Sequence, residues 1–144
     1  MSKERPDHGD AGLALQVYDL RREAVMRQSR DTINGKFVPR SFEDVLAVTK
    51  PDHPLNAAWR QVSTYWEMVY AMVKHGIVHP EYFMESNAEG LLLYAKVEPH
   101  LAQMRKELSP LAFLNAEWVA GNTQRGKAVM ELFRKRFAAQ LGKS

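Results

Sequence analysis

Apolar residues recur at intervals of three and four along almost the whole chain, and no segment alternates apolar and polar residues over the length of a strand. This spacing is typical of helices that bury one face, so we predict an all-α fold. The clearest segment runs from about 54 to 76, where Pro54 suits a helix start and Gly76 a helix end. It carries the apolar stripe Trp59, Val62, Trp66, Val69 and Val73. We expect this helix to be the central one.

Start and stop residues divide the rest of the chain into further helices. The predicted segments are about 10–34, 41–50, 80–85, 88–108, 109–120 and 123–142. The first has the apolar stripe Leu13, Val17, Leu20 and Ala24. Pro99 is expected to kink or split the segment 88–108 near Glu98. The sequence thus predicts a single-domain bundle of about five main helices and one or two short ones over 10–142, after a disordered tail 1–9.

Composition narrows the class of protein. The chain has 144 residues, 45% of them apolar and 26% charged, which is typical of one globular domain. It has no cysteine, which excludes thiolate chemistry and cysteine-ligated metals. The charged residues 1–10 do not resemble a signal peptide, and apolar runs such as 91–95 are too short to span a bilayer. We therefore expect a cytoplasmic protein.

Positive charge is concentrated at the C-terminal end. The net charge is +3, but residues 123–144 hold six basic side chains and one acidic one. This predicts an alternative function, the binding of nucleic acid or another polyanion through helix 123–142. Its candidate residues are Arg125, Lys127, Arg134, Lys135 and Arg136. A helix-turn-helix around Gly121 is not favoured, because Glu117 and Lys127 stand where that motif needs a small residue and a buried aliphatic one.

One polar cluster is a candidate for chemistry. Glu67 lies among aromatic residues in the central helix, and Arg21 and Arg22 lie in the first helix. A buried Glu67 paired with an arginine has the character of a general acid or base. The alternative is an interhelical ion pair that fixes how the two helices pack. We favour the ion pair, because the sequence offers Glu67 no second catalytic partner.

The histidines do not suggest a metal site. His53 and His79 each precede a proline, and Gly76 separates His75 from His79, so these side chains do not share one helical face. Walker, nucleophile-elbow and dinucleotide-binding motifs are absent from the sequence. We therefore expect no metal, no cofactor and no catalytic residues.

Two aromatic clusters are candidates for an interface. Tyr82 and Phe83 lie in a segment too short to bury every apolar side chain in it, and Phe113 and Trp118 lie in the predicted sixth helix. If exposed, they suit a homodimer interface or the docking of another protein. The alternative is that they cover the ends of the bundle.

Two segments carry a resemblance to a known group. Residues 18–27, YDLRREAVMR, and residues 59–68, WRQVSTYWEM, resemble a group of small bacterial all-helical proteins of unassigned function. The similarity covers about 13–108 and implies a helical domain, with no catalytic residues to transfer. Our leading hypothesis is a non-enzymatic protein-interaction module that self-associates. The alternatives are polyanion binding and, with least support, an enzyme centred on Glu67 and Arg21.

Overall fold

Nine α-helices and one short 3-10 helix form the secondary structure of residues 3–143, the part of the chain that the computed structural model describes. The helices are α1 (His8–Arg21), α2 (Ala24–Lys36), α3 (Phe42–Val48), α4 (Asn56–Lys74), α5 (Pro80–Ser86), α6 (Gly90–Val97), the 3-10 helix (Glu98–His100), α7 (Leu101–Glu107), α8 (Leu114–Asn122) and α9 (Gln124–Leu141). Residues 3–143 contain no strand. The prediction of an all-α single domain is confirmed.

Helix α4 lies at the centre of the domain. It packs against α2, α8 and α6, and the predicted stripe from Trp59 to Val73 is buried along its whole length. Tyr65 and Tyr70 are also buried on this helix, and Tyr65 donates a hydrogen bond through its hydroxyl to the carbonyl oxygen of Val17 in α1. Large apolar side chains on several faces therefore make α4 the core of the fold.

Local signals account for several of the helix ends. Ser41 accepts from the backbone N–H of Asp44 and begins α3, and Thr123 accepts from the N–H of Gly126 and begins α9. Pro80 occupies the first turn of α5. Pro99 lies in the 3-10 helix that separates α6 from α7, so the predicted split near Glu98 is confirmed.

The first predicted helix is in fact two helices. Helix α1 ends at Arg21, and Glu23 begins α2 because its carboxylate accepts from the backbone N–H groups of Val25 and Met26. The predicted apolar stripe is wrong from Leu20 onward, in the last turn of α1 as well as beyond the break. Val17 is buried, whereas Leu20 and Ala24 are exposed.

The predicted sixth helix begins later than expected. Ser109 and Pro110 lie in a turn, and α8 starts at Leu114 after Phe113, whose φ of 55° is left-handed. A non-glycine residue rarely adopts this backbone conformation. The buried ring of Phe113 packs against the rings of Trp59 and Tyr94, with centroids 5.8 and 6.5 Å away. The break between α1 and α2 and the split at Pro99 raise the number of α-helices in residues 3–143 to nine, above the predicted six or seven.

The chain ends add two observations. Helix α1 begins at His8, inside the predicted tail 1–9, with Asp7 as its N-cap. Residues 1–2 of that tail and residue 144 lie outside the described residues. Among residues 3–143, no helix combines the length and the apolar character needed to cross a membrane.

Candidate functional site

Glu67 lies on α4 and caps the start of another helix. Its Oε1 accepts a 2.8 Å hydrogen bond from the backbone N–H of Ala116, and its Oε2 accepts a 3.1 Å bond from the N–H of Asn115. Both amides belong to the first turn of α8, which has no side-chain cap of its own. The carboxylate thus satisfies two N–H groups that the helix leaves free. Burial raises the pKa of Glu67, although the two N–H groups oppose that shift.

The predicted cluster of Glu67 with Arg21 and Arg22 does not form. Arg21 is buried, and it donates to Asn87 Oδ1 at 2.7 Å and to the carbonyl oxygen of Ser86 at 3.3 Å. Its guanidinium carbon also lies 5.3 Å from the centroid of the Trp66 ring. Arg22 is exposed. Because Arg21 and Glu67 bind different helix ends, neither the predicted ion pair nor the acid–base pair exists.

An open cleft of about 280 Å³ lies beside Glu67. Its walls are mainly apolar and include Trp59, Leu108, Leu111 and Phe113. Ser63 and other hydroxyl side chains add hydrogen-bonding groups to the lining. We call this the Glu67 cleft. It combines aromatic and aliphatic walls with one part-buried carboxylate.

Other helix ends are also held by charged side chains from elsewhere in the fold. The carboxylate of Glu81 in α5 accepts from the N–H groups of Gln124 and Arg125 at the start of α9. At the other end of α9, Arg40 donates to the carbonyl oxygens of Leu141 and Lys143. Acidic side chains therefore bind helix N-termini and basic side chains bind helix C-termini, as the helix dipole favours.

Lys96 is the most buried of these charges. It has no exposed surface, and its Nζ donates to the carbonyl oxygens of Ile33, Asn34 and Phe37 at 3.0, 2.9 and 2.7 Å. These carbonyls lie at the end of α2, so the ammonium uses its three donor positions on acceptors at that helix terminus. Burial lowers the pKa of Lys96 to about 8. This residue was not predicted from the sequence, although it is the one charge within the apolar run 91–97.

The four residues predicted to form an interface do not make an exposed aromatic patch. Phe83 is fully buried and Phe113 is nearly so. Trp118 is partly buried and packs against the core, and Tyr82 is partly buried. Of the two alternatives, an open aromatic surface is therefore excluded for Phe83 and Phe113.

The five basic residues of α9 are exposed but do not form one stripe. Arg134 donates two hydrogen bonds to the carboxylate of Glu98, at 2.9 and 2.7 Å. With about 100° of rotation per residue, Lys127 lies on the same flank as Arg134, Arg125 and Arg136 lie on the opposite flank, and Lys135 points away from the core between them. The positive charge is thus spread around the outer surface of the helix.

A different exposed surface lies on α1. Residues Asp7, Ala11, Leu15, Tyr18 and Arg22 follow one another at spacings of 4, 4, 3 and 4, which places them on one side of the helix. Leu15 is 70% exposed and Tyr18 is 52% exposed. We call these five residues the α1 stripe. It has an apolar middle and a basic end, and at its other end the carboxylate of Asp7 forms an exposed ion pair with Lys3 at 3.3 Å.

A shallow hollow lies beside the N-terminal half of the α1 stripe. It has a volume of about 440 Å³ and is lined by Pro6, Asp7, His8, Ala11 and Tyr82. Tyr82 is thus the one predicted interface residue that borders an apolar part of this surface. The hollow lies two helical turns from the protruding ring of Tyr18, a distance of about 10 Å.

Metal binding has no support in the described part of the chain. No group of three or more histidine, aspartate or glutamate side chains among residues 3–143 is arranged to hold a metal ion. The five ion pairs there each join one acidic and one basic side chain.

Comparison with known proteins identifies the family. A family profile described as "Domain of unknown function (DUF4760)" matches residues 6–123. The match covers most of the chain, so the protein belongs to this family. A search of curated proteins and a search of solved structures found no match. The family match agrees with the resemblance to proteins of unassigned function and assigns no activity.

Proposed function

We propose that this member of the family is a protein-interaction module that self-associates through the α1 stripe. The occupant of the stripe is a second copy of the same chain, with the two α1 helices antiparallel about a two-fold axis. The observation that carries the proposal is the self-complementary order of the stripe, with Asp7 at one end, Arg22 at the other and exposed Leu15 and Tyr18 between them.

The spacing of the stripe suits this arrangement. A two-fold axis that passes between positions 14 and 15 places Tyr18 of one copy against Ala11 of the second copy. By symmetry, it also places Tyr18 of the second copy against Ala11 of the first. The small side chain of Ala11 borders the hollow, so a ring has room to enter beside it. The same axis brings Arg22 of each copy to Asp7 of the other. A two-fold interface requires such self-complementarity, since the same patch serves both partners.

The expected association is weak. A single pair of helices of this length buries less than the roughly 1,200 Å² of a standard stable interface. The apolar centre supplies most of the favourable free energy, and each exposed ion pair adds about 0.2–1 kcal/mol. We therefore expect a dimer that forms as the concentration rises from about 10 µM to about 1 mM.

Sedimentation equilibrium over that concentration range tests the proposal. The wild-type chain should change from monomer to dimer, and Leu15→Glu should keep it monomeric. Leu111→Glu is the matched control, because Leu111 is 69% exposed but lies outside the stripe. A wild-type chain that stays monomeric throughout would overturn the proposal, and so would an equal effect of the two substitutions.

The charged ends need a separate test. Arg22→Glu brings a negative charge to Asp7 of the second copy and should weaken the dimer several-fold. The control is Arg27→Glu, an exposed arginine on α2. Added salt should weaken the wild-type dimer more than the Arg22→Glu dimer, since salt screens the attraction between the exposed ends. Equal salt dependence would contradict the antiparallel arrangement.

Polyanion binding through α9 is the second candidate. It is supported by Arg125, Lys127, Lys135 and Arg136, which are exposed and form no ion pair with the residues that the structure describes. A gel-shift assay with duplex and single-stranded DNA at low salt tests it. The double substitution Lys135→Glu and Arg136→Glu should abolish a shift that also weakens with added salt. No shift of the wild-type chain at low salt would refute this candidate.

A further inference from the structure

We propose that the Glu67 cleft is a binding site for a small organic ammonium ion with an apolar body. The cleft lies between α4, α7 and the turn before α8, so the site is separate from the α1 stripe. Its volume of about 280 Å³ is just below the roughly 300–1,000 Å³ of typical ligand pockets. A ligand of about ten non-hydrogen atoms suits that space.

The walls determine the apolar part of the ligand. Leu108, Leu111 and Met104 present aliphatic surface, and Trp59 and Phe113 present aromatic surface. The two rings have centroids 5.8 Å apart and planes tilted by 57°, so their faces are not parallel. Leu111 is 69% exposed at this cleft. An apolar ligand body that covers Leu111 removes this surface from water, which is favourable.

Glu67 determines the charge of the ligand. Each carboxylate oxygen accepts one backbone N–H and keeps a lone pair for a further donor. The positively charged side chains that influence Glu67 are Lys74 on α4 and Arg105 on α7, and neither forms an ion pair with it in the described residues. Arg105 instead pairs with Glu117 at 3.1 Å. A part-buried carboxylate without a cationic partner favours a ligand that supplies one.

The aromatic and hydroxyl groups add to the same preference. The faces of aromatic rings attract cations, and aromatic walls beside a carboxylate are a recurring means of binding ammonium groups. The hydroxyl of Ser63 also lines the cleft and offers a lone pair to an N–H donor. An anionic ligand would meet the carboxylate directly and be repelled. The cleft thus selects an ammonium over a neutral or anionic group of the same shape.

A set of matched probes tests the proposal by NMR titration of the full chain. The probes are 2-phenylethylammonium, the neutral 2-phenylethanol and the anionic phenylacetate, which share one apolar body. We expect chemical-shift changes at residues 59, 63 and 111, with the ammonium binding about tenfold more tightly than the alcohol and the anion binding least. Equal affinities for the ammonium and the alcohol would overturn the proposal, as would shift changes located elsewhere.

Two variants separate the charge from the cavity. Glu67→Gln keeps one acceptor oxygen and should remove the preference for the ammonium. Ser63→Leu fills the cleft without changing Glu67 and should remove the binding of both the ammonium and the alcohol. Unchanged binding to the Ser63→Leu chain would contradict the site. This second variant keeps the test decisive if Glu67→Gln does not fold.

A final probe distinguishes a free amine from a lysine side chain on another protein. Nα-acetyl-lysine methylamide carries the same ammonium on an aliphatic stem. Tighter binding of 2-phenylethylammonium identifies a free aromatic amine as the ligand type, and tighter binding of the lysine derivative identifies a protein lysine. Both results support ammonium recognition, whereas binding of neither probe would overturn it. The self-association experiment has a separate outcome, because Leu15 and Arg22, the stripe residues that it substitutes, do not line this cleft.

Discussion

Lys96 and Phe37 join the last turn of one helix to the end of another, through a 2.7 Å hydrogen bond from Nζ of Lys96 to the carbonyl oxygen of Phe37. The same ammonium also binds the carbonyl oxygens of Ile33 and Asn34. This lysine of α6 therefore caps the C-terminus of α2 with its positive charge. No carboxylate takes part in this contact among the residues described, so the carbonyl groups and the helix dipole alone compensate the buried charge.

Replacing Lys96 by methionine should destabilise the protein strongly. Methionine has a similar volume, but it removes a donor from three carbonyl groups, and the buried carbonyl group of Phe37 then has no other donor among the residues described. We expect the free energy of unfolding to fall by about 2–4 kcal/mol, as measured by urea denaturation. Lys106→Met is the matched control, because Lys106 is exposed on α7 and the change should matter little there. Equal stability of the two variants would show that the carbonyl contacts contribute nothing.

The stability of the wild-type chain should rise with pH as Lys96 loses its proton. Burial lowers the pKa of Lys96 from 10.5 to about 8, so between these values the unfolded chain holds a proton that the folded chain has released. The free energy of unfolding therefore increases with pH in that window, with a slope of up to about 1.4 kcal/mol per pH unit. Subtracting the profile of Lys96→Met isolates this contribution. Parallel profiles between pH 8 and 10.5 would contradict the lowered pKa.

Removing the carboxylate of Glu67 should loosen the start of α8. Glu67→Ala leaves the N–H groups of Asn115 and Ala116 without an acceptor, so the protein should lose about 1–2 kcal/mol of stability. Native-state hydrogen exchange should show faster exchange at these two amides than in the wild-type chain. Glu131→Ala, at an exposed position of α9, is the control. Unchanged protection of both amides would rule out the capping role.

Two glycines should differ in their tolerance of alanine. A Cβ atom added at Gly90 would lie 2.6 Å from the Trp66 ring and 2.7 Å from the hydroxyl oxygen of Tyr70, closer than packed atoms allow. We expect Gly90→Ala to cost about 1–3 kcal/mol, because α6 must move away from α4. Gly121→Ala meets no atom within 4 Å and should leave stability unchanged or slightly higher. Thermal unfolding of the two variants compares them directly.

Much of the fold follows from the spacing of apolar residues and from helix-ending residues in the sequence. Helix α4 lies within two residues of each predicted end because its apolar period is regular. The split near Pro99 was predictable, since proline removes a backbone donor. The break between α1 and α2 was not, because it contains neither glycine nor proline, and a glutamate side chain at position 23 caps the new helix. The left-handed conformation of Phe113 likewise depends on rings that are distant in sequence.

The partners of the charged residues were harder to predict than the helices. Glu67 was identified as an unusual polar residue, but its partners are backbone N–H groups, which have no sequence signature. Arg21 was expected to find a carboxylate, and it binds an amide oxygen and a carbonyl oxygen instead. Side-chain identity indicates which groups need a partner. Tertiary packing decides which partner each group meets.

Because helix ends are capped by side chains that are distant in sequence, their formation is tied to the folding of the whole domain. Helix α8 has nine residues and receives its N-terminal acceptor from Glu67, 49 positions before Ala116. Segments this short are marginal as isolated helices in water. Similarly, the C-terminus of helix α2 receives its side-chain donor from Lys96, 59 positions after Phe37. These helices are completed only when distant parts of the chain have come together, so secondary and tertiary structure should be acquired in one concerted transition.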